Sequence, residues 1–205
     1  MMKSILLSIK PKYVELIASG KKTIEVRKSA PQEVPFKAYI YCCKAKPYLY
    51  KEANPPFELF LDSELYKGNG YDDRLFSGKV IGAFICDRIE MVNAKCSDYG
   101  IDLFYHDCLT NGCLTEREIE KYFNVPEDRD LRAMKGNGYV WNISDLKIYD
   151  TPKELSEFSR PCSYSGLCFS CKRTSFKKDG TLLCNTKITR PPQSWMHVED
   201  LGEKE

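Results

Sequence analysis

Residues 20–29 read GKKTIEVRKS, four cations around a single carboxylate. Thr23, Glu25 and Arg27 alternate with Ile24 and Val26. In a strand the first three share one face and the two aliphatics the other, with same-face neighbours about 7 Å apart. Glu25 and Arg27 then line one wall of a cleft and keep each other charged. An ionised carboxylate only accepts hydrogen bonds, which suits the amino or imino edge of a base, while Lys22 and Arg27 suit phosphate. Lys10, at the end of the first apolar segment, is placed to reach the same mouth. From spacing alone, the commoner outcome of such alternation is a solvated strand face with weak ion pairs.

A second set with chemistry is Cys162, Cys168, Cys171 and Cys184, spaced C-x5-C-x2-C-x12-C. Residues 174–176 and 181–183 can pair as a hairpin across KKDG, with Asp179 and Gly180 as the turn signal. That hairpin returns Cys184 towards the Cys168/Cys171 knuckle, and four thiolates satisfy a tetrahedral structural zinc. One Cys-x-x-Cys is present where a zinc ribbon has two, so four reduced, buried thiols are the alternative. The segment has few aliphatics for a core of its own, and a metal replaces one. A redox role is disfavoured because no thioredoxin-like βαβ pattern surrounds the pair. Lys172, Arg173, Lys177 and Lys178 on the same hairpin either meet phosphate or form a solvated edge. His106, Cys108 and Cys113 are loosely spaced and lack a fourth ligand nearby. Trp195 follows Pro191, Pro192, Gln193 and Ser194 in a polar tail. It can stack on a base, or latch the tail to the body of the protein.

The elements that must position these groups are legible in part. Residues 4–9 form a short apolar strand. Pro11 opens a helix with Tyr13, Leu16 and Ile17 on one face and Gly20 as its stop. Residues 23–28, 37–44, 79–92 and 138–148 read as strands or strand pairs, with a bend expected at Gly82. Residues 115–124 form a helix whose Thr115 and Glu118 make a capping box, with Leu114 and Ile119 across the first turn and Ile119, Tyr122 and Phe123 as the buried stripe. Thr151, Pro152 and Glu154 repeat the capping pattern before a short helix ending near Phe158. Residues 45–78, broken by prolines and glycines, read as a long loop or insertion with one short helix, and 95–113 are ambiguous. KGNGY occurs at 67–71 and 135–139, and Gly-Asn-Gly favours positive-φ turns.

The stretch SIKPKYVELIASGKKTIEVRK resembles the opening of ASCH-domain proteins of the PUA-like superfamily. The shared pattern Gly-x-Lys-x-x-Glu-x-Arg stands here as Gly20, Lys22, Glu25 and Arg27. YVWNISDLKIYDTPKELSEF and RPPQSW resemble further parts of bacterial and phage members. The resemblance implies an α+β fold, a small closed β-barrel with flanking helices. It also implies a cleft beside Lys22, Glu25 and Arg27, and an association with RNA, modified bases and nucleotides. Some relatives are amidohydrolases acting on N4-acetylcytidine through a lysine, a threonine and a distant glutamate. Lys22 matches the lysine, but Glu25 occupies the threonine position, so the hydroxyl nucleophile is missing. If the chain is an enzyme, Glu25 is the base for water and Lys22 steadies the oxyanion.

The expectation is therefore a barrel over 1–158 with an insertion at 45–78, a cysteine-rich zinc insert over 159–187, and a tail over 188–205 packing back on the barrel. The barrel binds RNA or a nucleotide-like small molecule through Lys10, Lys22, Glu25, Arg27 and Trp195. The alternatives are an amidohydrolase or ribonuclease at the same cleft, and a zinc-stabilised protein-interaction module. At 205 residues with 42% hydrophobic composition the chain can bury a core. Its formal charge of only +2 means that any nucleic-acid site is local rather than global. The apolar run Ile5–Leu7 is too short for a signal peptide or a membrane span, so a cytoplasmic setting without membrane contact is expected. Ten cysteines are then thiols or metal ligands rather than disulfides.

Overall fold

The structure, a computed structural model, describes residues 2–68, 70–93, 98–125, 136–162, 174–180, 182–184 and 186–202. The apolar opening forms β1 (Lys3–Ile9), buried along nearly its whole length. Lys10, in extended conformation, is the N-cap of α1 (Pro11–Ala18), with Pro11 at the first helical position, where its missing N–H costs nothing. The helix buries Pro11, Val14 and Ile17, and the chain then turns through Gly20 at φ +74. β2 (Ile24–Arg27) follows, and β3 (Phe36–Cys42) returns parallel to β1. A parallel pair needs a long crossover, and here α1 and β2 supply it. The residues of greatest chemical interest thus lie inside that crossover.

Residues 45–78, expected as a long loop or insertion with one short helix, also contain paired strands. They hold an antiparallel hairpin, β4 (Tyr48–Lys51) and β5 (Leu59–Asp62), then the short helix α2 (Tyr71–Arg74). Pro55 and Pro56 sit in its turn and so do not interrupt its strands. Tyr50 anchors it, fully buried and packed against the rings of Phe60, Tyr66 and Tyr71.

β6 (Val80–Cys86) and β7 (Ile89–Asn93) are consecutive, as are β8 (Asn137–Asn142) and β9 (Ser144–Lys153). Between β7 and β8 lie α3 (Asp98–Leu109) and α4 (Glu116–Phe123). The ambiguous 95–113 region is therefore largely helical. A hairpin of β10 (Thr174–Phe176) and β11 (Leu182–Cys184) pairs Thr174 with Cys184, one residue later on its second arm than the sequence suggested. β12 (Trp195–Val198) closes the series by pairing antiparallel with β1.

The closed barrel expected from the resemblance does not form. One mixed sheet has the order β12-β1-β3-β6-β9, and a separate antiparallel sheet has the order β2-β8-β7. The cause is a corner. β6 pairs with β9 as far as Ile85 and Ser144, and the ladder resumes with β7 and β8 at Ile89 and Trp141. Between them the chain breaks at 87–88, where Asn142 bonds back to the Arg88 carbonyl (3.0 Å) and the Asp87 carboxylate (2.9 Å). The corner between the sheets falls there, while at Gly82 the expected bend coincides with a register shift in the ladders of β6 with β3 and β9. Gly82 also serves as a contact point: a Cβ there would come within 2.4 Å of the Lys147 carbonyl on β9.

Three cores follow from this arrangement; one, on the opposite face of the five-stranded sheet from Trp141, gathers Leu6, Tyr39, Val80, Ala83, Phe158 and Val198. Another lies against the five-stranded sheet and holds Ile5, Leu7, Phe36, Ile40, Phe84 and Trp141. The third sits between the three-stranded sheet and the helices, with Ile24, Val26, Phe104, Ile119 and Phe123. Gly138 lets α3 approach, since a Cβ there would meet the Phe104 ring at 2.6 Å. Tyr122 departs from the expected buried stripe and lies with its ring partly exposed. Among the described residues no helix is long and apolar enough to cross a membrane.

Candidate functional site

β2 is paired on one side only. Its register with β8 sets Glu25 opposite Trp141 and Arg27 opposite Tyr139. Ile24 and Val26 face the helical core, so Glu25 and Arg27 point the other way, towards β1. No backbone ladder joins β2 to β1. The Arg27 side chain spans the gap, donating from Nη2 to the Ser8 carbonyl at 2.7 Å and from Nη1 towards Ser194 Oγ at 3.4 Å.

The three motif residues form one buried chain of charge. Arg27 Nε lies 2.8 Å from Glu25 Oε1, and Lys22 Nζ lies 3.5 Å from Glu25 Oε2. The Arg27 Nε contact is a close ion pair set off the line of an ideal hydrogen bond. Lys22 also donates to the Gly112 carbonyl at 2.7 Å and lies over the Tyr13 ring, 5.5 Å from its centre. Side-chain exposures of 2% for Lys22, 7% for Glu25 and 11% for Arg27 exclude the solvated face that spacing alone favoured. Charges buried this deeply must be paired, and here each cation has the same carboxylate as a partner.

Further groups surround the chain. Tyr13 donates to Glu118 Oε1 at 2.7 Å, and Lys12 reaches the same oxygen at 3.0 Å. Burial, the Glu118 hydrogen bond and the nearby Glu25 charge all push the Tyr13 phenol upwards, so it stays protonated. Burial opposes ionisation of Glu118, yet hydrogen bonds from the Thr115 backbone, Tyr13, Lys12 and the Thr115 hydroxyl outweigh it and hold the carboxyl at about 2. The Tyr122 hydroxyl is raised chiefly by burial, with the Arg27 charge lowering it and the Glu25 charge raising it, while its ring is partly open to solvent. Lys28 covers that ring at 5.0 Å. The Cys43 thiol is raised by burial and lowered by Arg27 and Lys10. Lys10 is exposed, between the end of β1 and α1.

Trp195 donates from its indole to Ser29 Oγ at 3.1 Å and meets Trp141 edge-on at 6.2 Å. It latches the tail across the gap between β12 and the end of β2. Trp141 is fully buried, and its indole N–H has no hydrogen-bond partner. Tyr13, Tyr122, Trp141 and Ser194 belong to the site without having been singled out for it. The signal for Tyr122 was its position one residue before buried Phe123, which turns it to the margin of the helical stripe. Ser194 carries no sequence signal, because a distant fold-back brings it in.

The remaining sequence candidates lie elsewhere. Cys168 and Cys171 fall outside the described residues, while Cys162 and Cys184 are exposed. Cys108 is buried in the helical core and His106 is exposed, and no metal-binding group of three or more His, Cys, Asp or Glu occurs among the described residues. Of the KGNGY glycines, Gly68, Gly70 and Gly136 adopt positive φ, as turn residues should.

A mixed sheet packed on helices, with a Lys–Glu–Arg chain buried in the crossover, defines an α+β protein with a polar seam. Residues 7–46 match the family model described as the ASCH domain. Among solved structures, an ASCH protein from Zymomonas mobilis aligns at 16% identity over 96% of this chain and 88% of its own, with a TM-score of 0.46. A point mutant of that protein aligns at the same identity over 96% and 89%, with a TM-score of 0.49. The N-terminal domain of Staphylothermus marinus McrB aligns at 12% identity over 75% and 77%, with a TM-score of 0.36. No curated protein matches the chain.

Proposed function

We propose that this protein is a binding module for RNA or a nucleotide-like ligand, held at the seam between β2 and β1. The observation that carries this reading is the Lys22–Glu25–Arg27 chain. Two cations and a carboxylate kept out of water are costly as scaffolding, and a hydrophobic replacement is often neutral or stabilising. Here they lie where the backbone ladder is missing, beneath a rim of exposed Lys10, Lys28 and the Trp195 ring. The rim cations suit phosphate and the ring suits a base. Glu25 fixes the guanidinium plane, and Arg27 Nη1, held only by a 3.4 Å contact to Ser194, is the donor most readily given to a guest.

A hydrolytic role for Lys22 and Glu25 ranks behind binding. A base needs a carboxylate oxygen facing water, and Glu25 Oε1 faces Arg27 while Oε2 faces Lys22. A structural zinc on Cys162, Cys168, Cys171 and Cys184 is a separate proposal, supported by the β10–β11 hairpin that carries Cys184. It predicts about one zinc per chain in protein purified without chelator, with the four thiols reactive only after chelation. A folded, zinc-free protein overturns it.

Intrinsic fluorescence of Trp195 tests the binding reading. Single-stranded RNA or a nucleoside monophosphate, titrated at low salt, should change the emission. Lys10→Gln should weaken binding several-fold. Arg27→Lys, which keeps the charge but loses the planar fork, should weaken it at least tenfold in a variant shown to be folded. Absence of binding by RNA, nucleotides and nucleosides at low salt overturns the proposal.

A further inference from the structure

The face of the five-stranded sheet turned away from Trp141 carries an open groove of about 750 Å³ that touches none of Lys22, Glu25 or Arg27. Its floor follows from the register. Tyr39 on β3 pairs with Ala83 on β6, and Ala83 pairs with Lys147 on β9. The small alanine between a ring and a long cation leaves a trough. One step along, Lys37 pairs with Ile85. Tyr149, two residues after Lys147, continues the floor, with Lys153 5.5 Å from its ring centre.

The charge in this groove is unusual for its place. β3 is the central strand of the sheet, yet Lys37 stands on it with a side chain only 15% exposed. It lies 3.4 Å from Asp200 of the tail and over the Tyr39 ring at 5.2 Å. The Tyr39 hydroxyl donates to the same Asp200. Lys187, on the groove wall, donates to the Glu157 carbonyl at 3.0 Å. Lys147 is exposed with its ammonium uncommitted among the described residues. The lining holds four lysines against two carboxylates, Asp145 and Glu157, and Asp200 offsets Lys37, which leaves Lys147, Lys153 and Lys187 to supply the surplus. The formal charge of the whole chain is only +2, so the surplus gathered here is not a general property of the surface.

We infer that this groove is a second binding surface that takes a segment of single-stranded nucleic acid, with phosphates on Lys147, Lys153 and Lys187 and a base against Tyr149. Cations flanking aromatic rings in an open trough are the arrangement that holds such strands without reading sequence. The volume lies within the roughly 300–1,000 Å³ of sites that hold nucleotide-sized guests. An acidic peptide would use the lysines but has no need of the rings. The inference stands independently of the seam site, since the two share no residue.

The test uses the full chain and a fluorescein-labelled, twelve-nucleotide oligouridine, with anisotropy followed across salt concentrations. For a single strand the slope of log K against log salt is about 0.7 per phosphate neutralised. The double variant Lys147→Gln/Lys153→Gln should lower that slope by about 1.4 and weaken binding roughly tenfold, and Lys147→Arg/Lys153→Arg should restore both. Lys147 is exposed and Lys153 half-buried, and the arginine variant, which keeps the charge, controls for any effect on the underlying packing. Lys10→Gln should leave the slope change intact, which separates failure of the groove from failure of the seam. An unchanged slope in the glutamine variant, or polyglutamate bound as tightly as the oligonucleotide, overturns the inference. So does a wild-type protein that fails to bind the oligonucleotide at low salt.

Discussion

Glu25 holds two buried cations apart and in place, so its removal affects more than one contact. With glutamine there, Lys22 and Arg27 become like charges facing each other across a neutral amide, at 2% and 11% side-chain exposure. Removing one partner of a buried pair costs about 3–5 kcal/mol. Glu25→Gln should therefore lose stability on that scale in chemical denaturation. A loss below about 1 kcal/mol would mean that the pair behaves as an exposed one. The alternation of Thr23, Glu25 and Arg27 was readable from the sequence, as was the face they share. Their burial was not. The pattern of a charged strand is the same whether the strand edge meets water or meets Ser8 and Ser194, and the second of these lies 167 residues away from Arg27.

Elements carried by local chemistry were the most legible. The N-terminus of α4 has the expected reciprocal capping box, with the Thr115 hydroxyl accepting from the Glu118 amide and the Glu118 carboxylate accepting from the Thr115 amide at 2.8 Å. Asn124, in the left-handed conformation at φ 52, ends the helix. The same Glu118 ties α4 to α1 through Tyr13 and Lys12. Its carboxyl is held at about 2, below the ordinary 4.5, so the folded state binds fewer protons than the unfolded state between those values. The stability it contributes is present above pH 4.5 and is lost as pH falls through about 2. Glu118→Gln should be less stable at neutral pH and should show a flatter decline in stability between pH 4.5 and 2, followed by circular dichroism. By contrast, the β4–β5 hairpin was hidden. Its proline-rich turn reads as a break, and only the packing of Tyr50 against Phe60 and Tyr71 reveals two paired strands.

At the scale of the molecule, the family resemblance was visible and the closure of the sheet was not. Whether strands close into a barrel depends on how β6–β7 and β8–β9 turn at 87–88 and 143, and no residue there announces a corner. The asymmetry of the surface was equally hidden. A chain of near-neutral composition gathers lysines on one sheet face because residues from β3, β9 and the segment after β11 converge there. The fold also fixes when the seam can exist. Its first wall is made within the opening crossover, but the Arg27 and Ser29 side chains meet the far wall only at Ser194 and Trp195. During synthesis, the early residues must wait until positions 194 and 195 have been made before the seam has both walls. A ribosome that stalls between β8 and this tail leaves β2 with its ladder partner but Arg27 without Ser194 and Ser29 without Trp195.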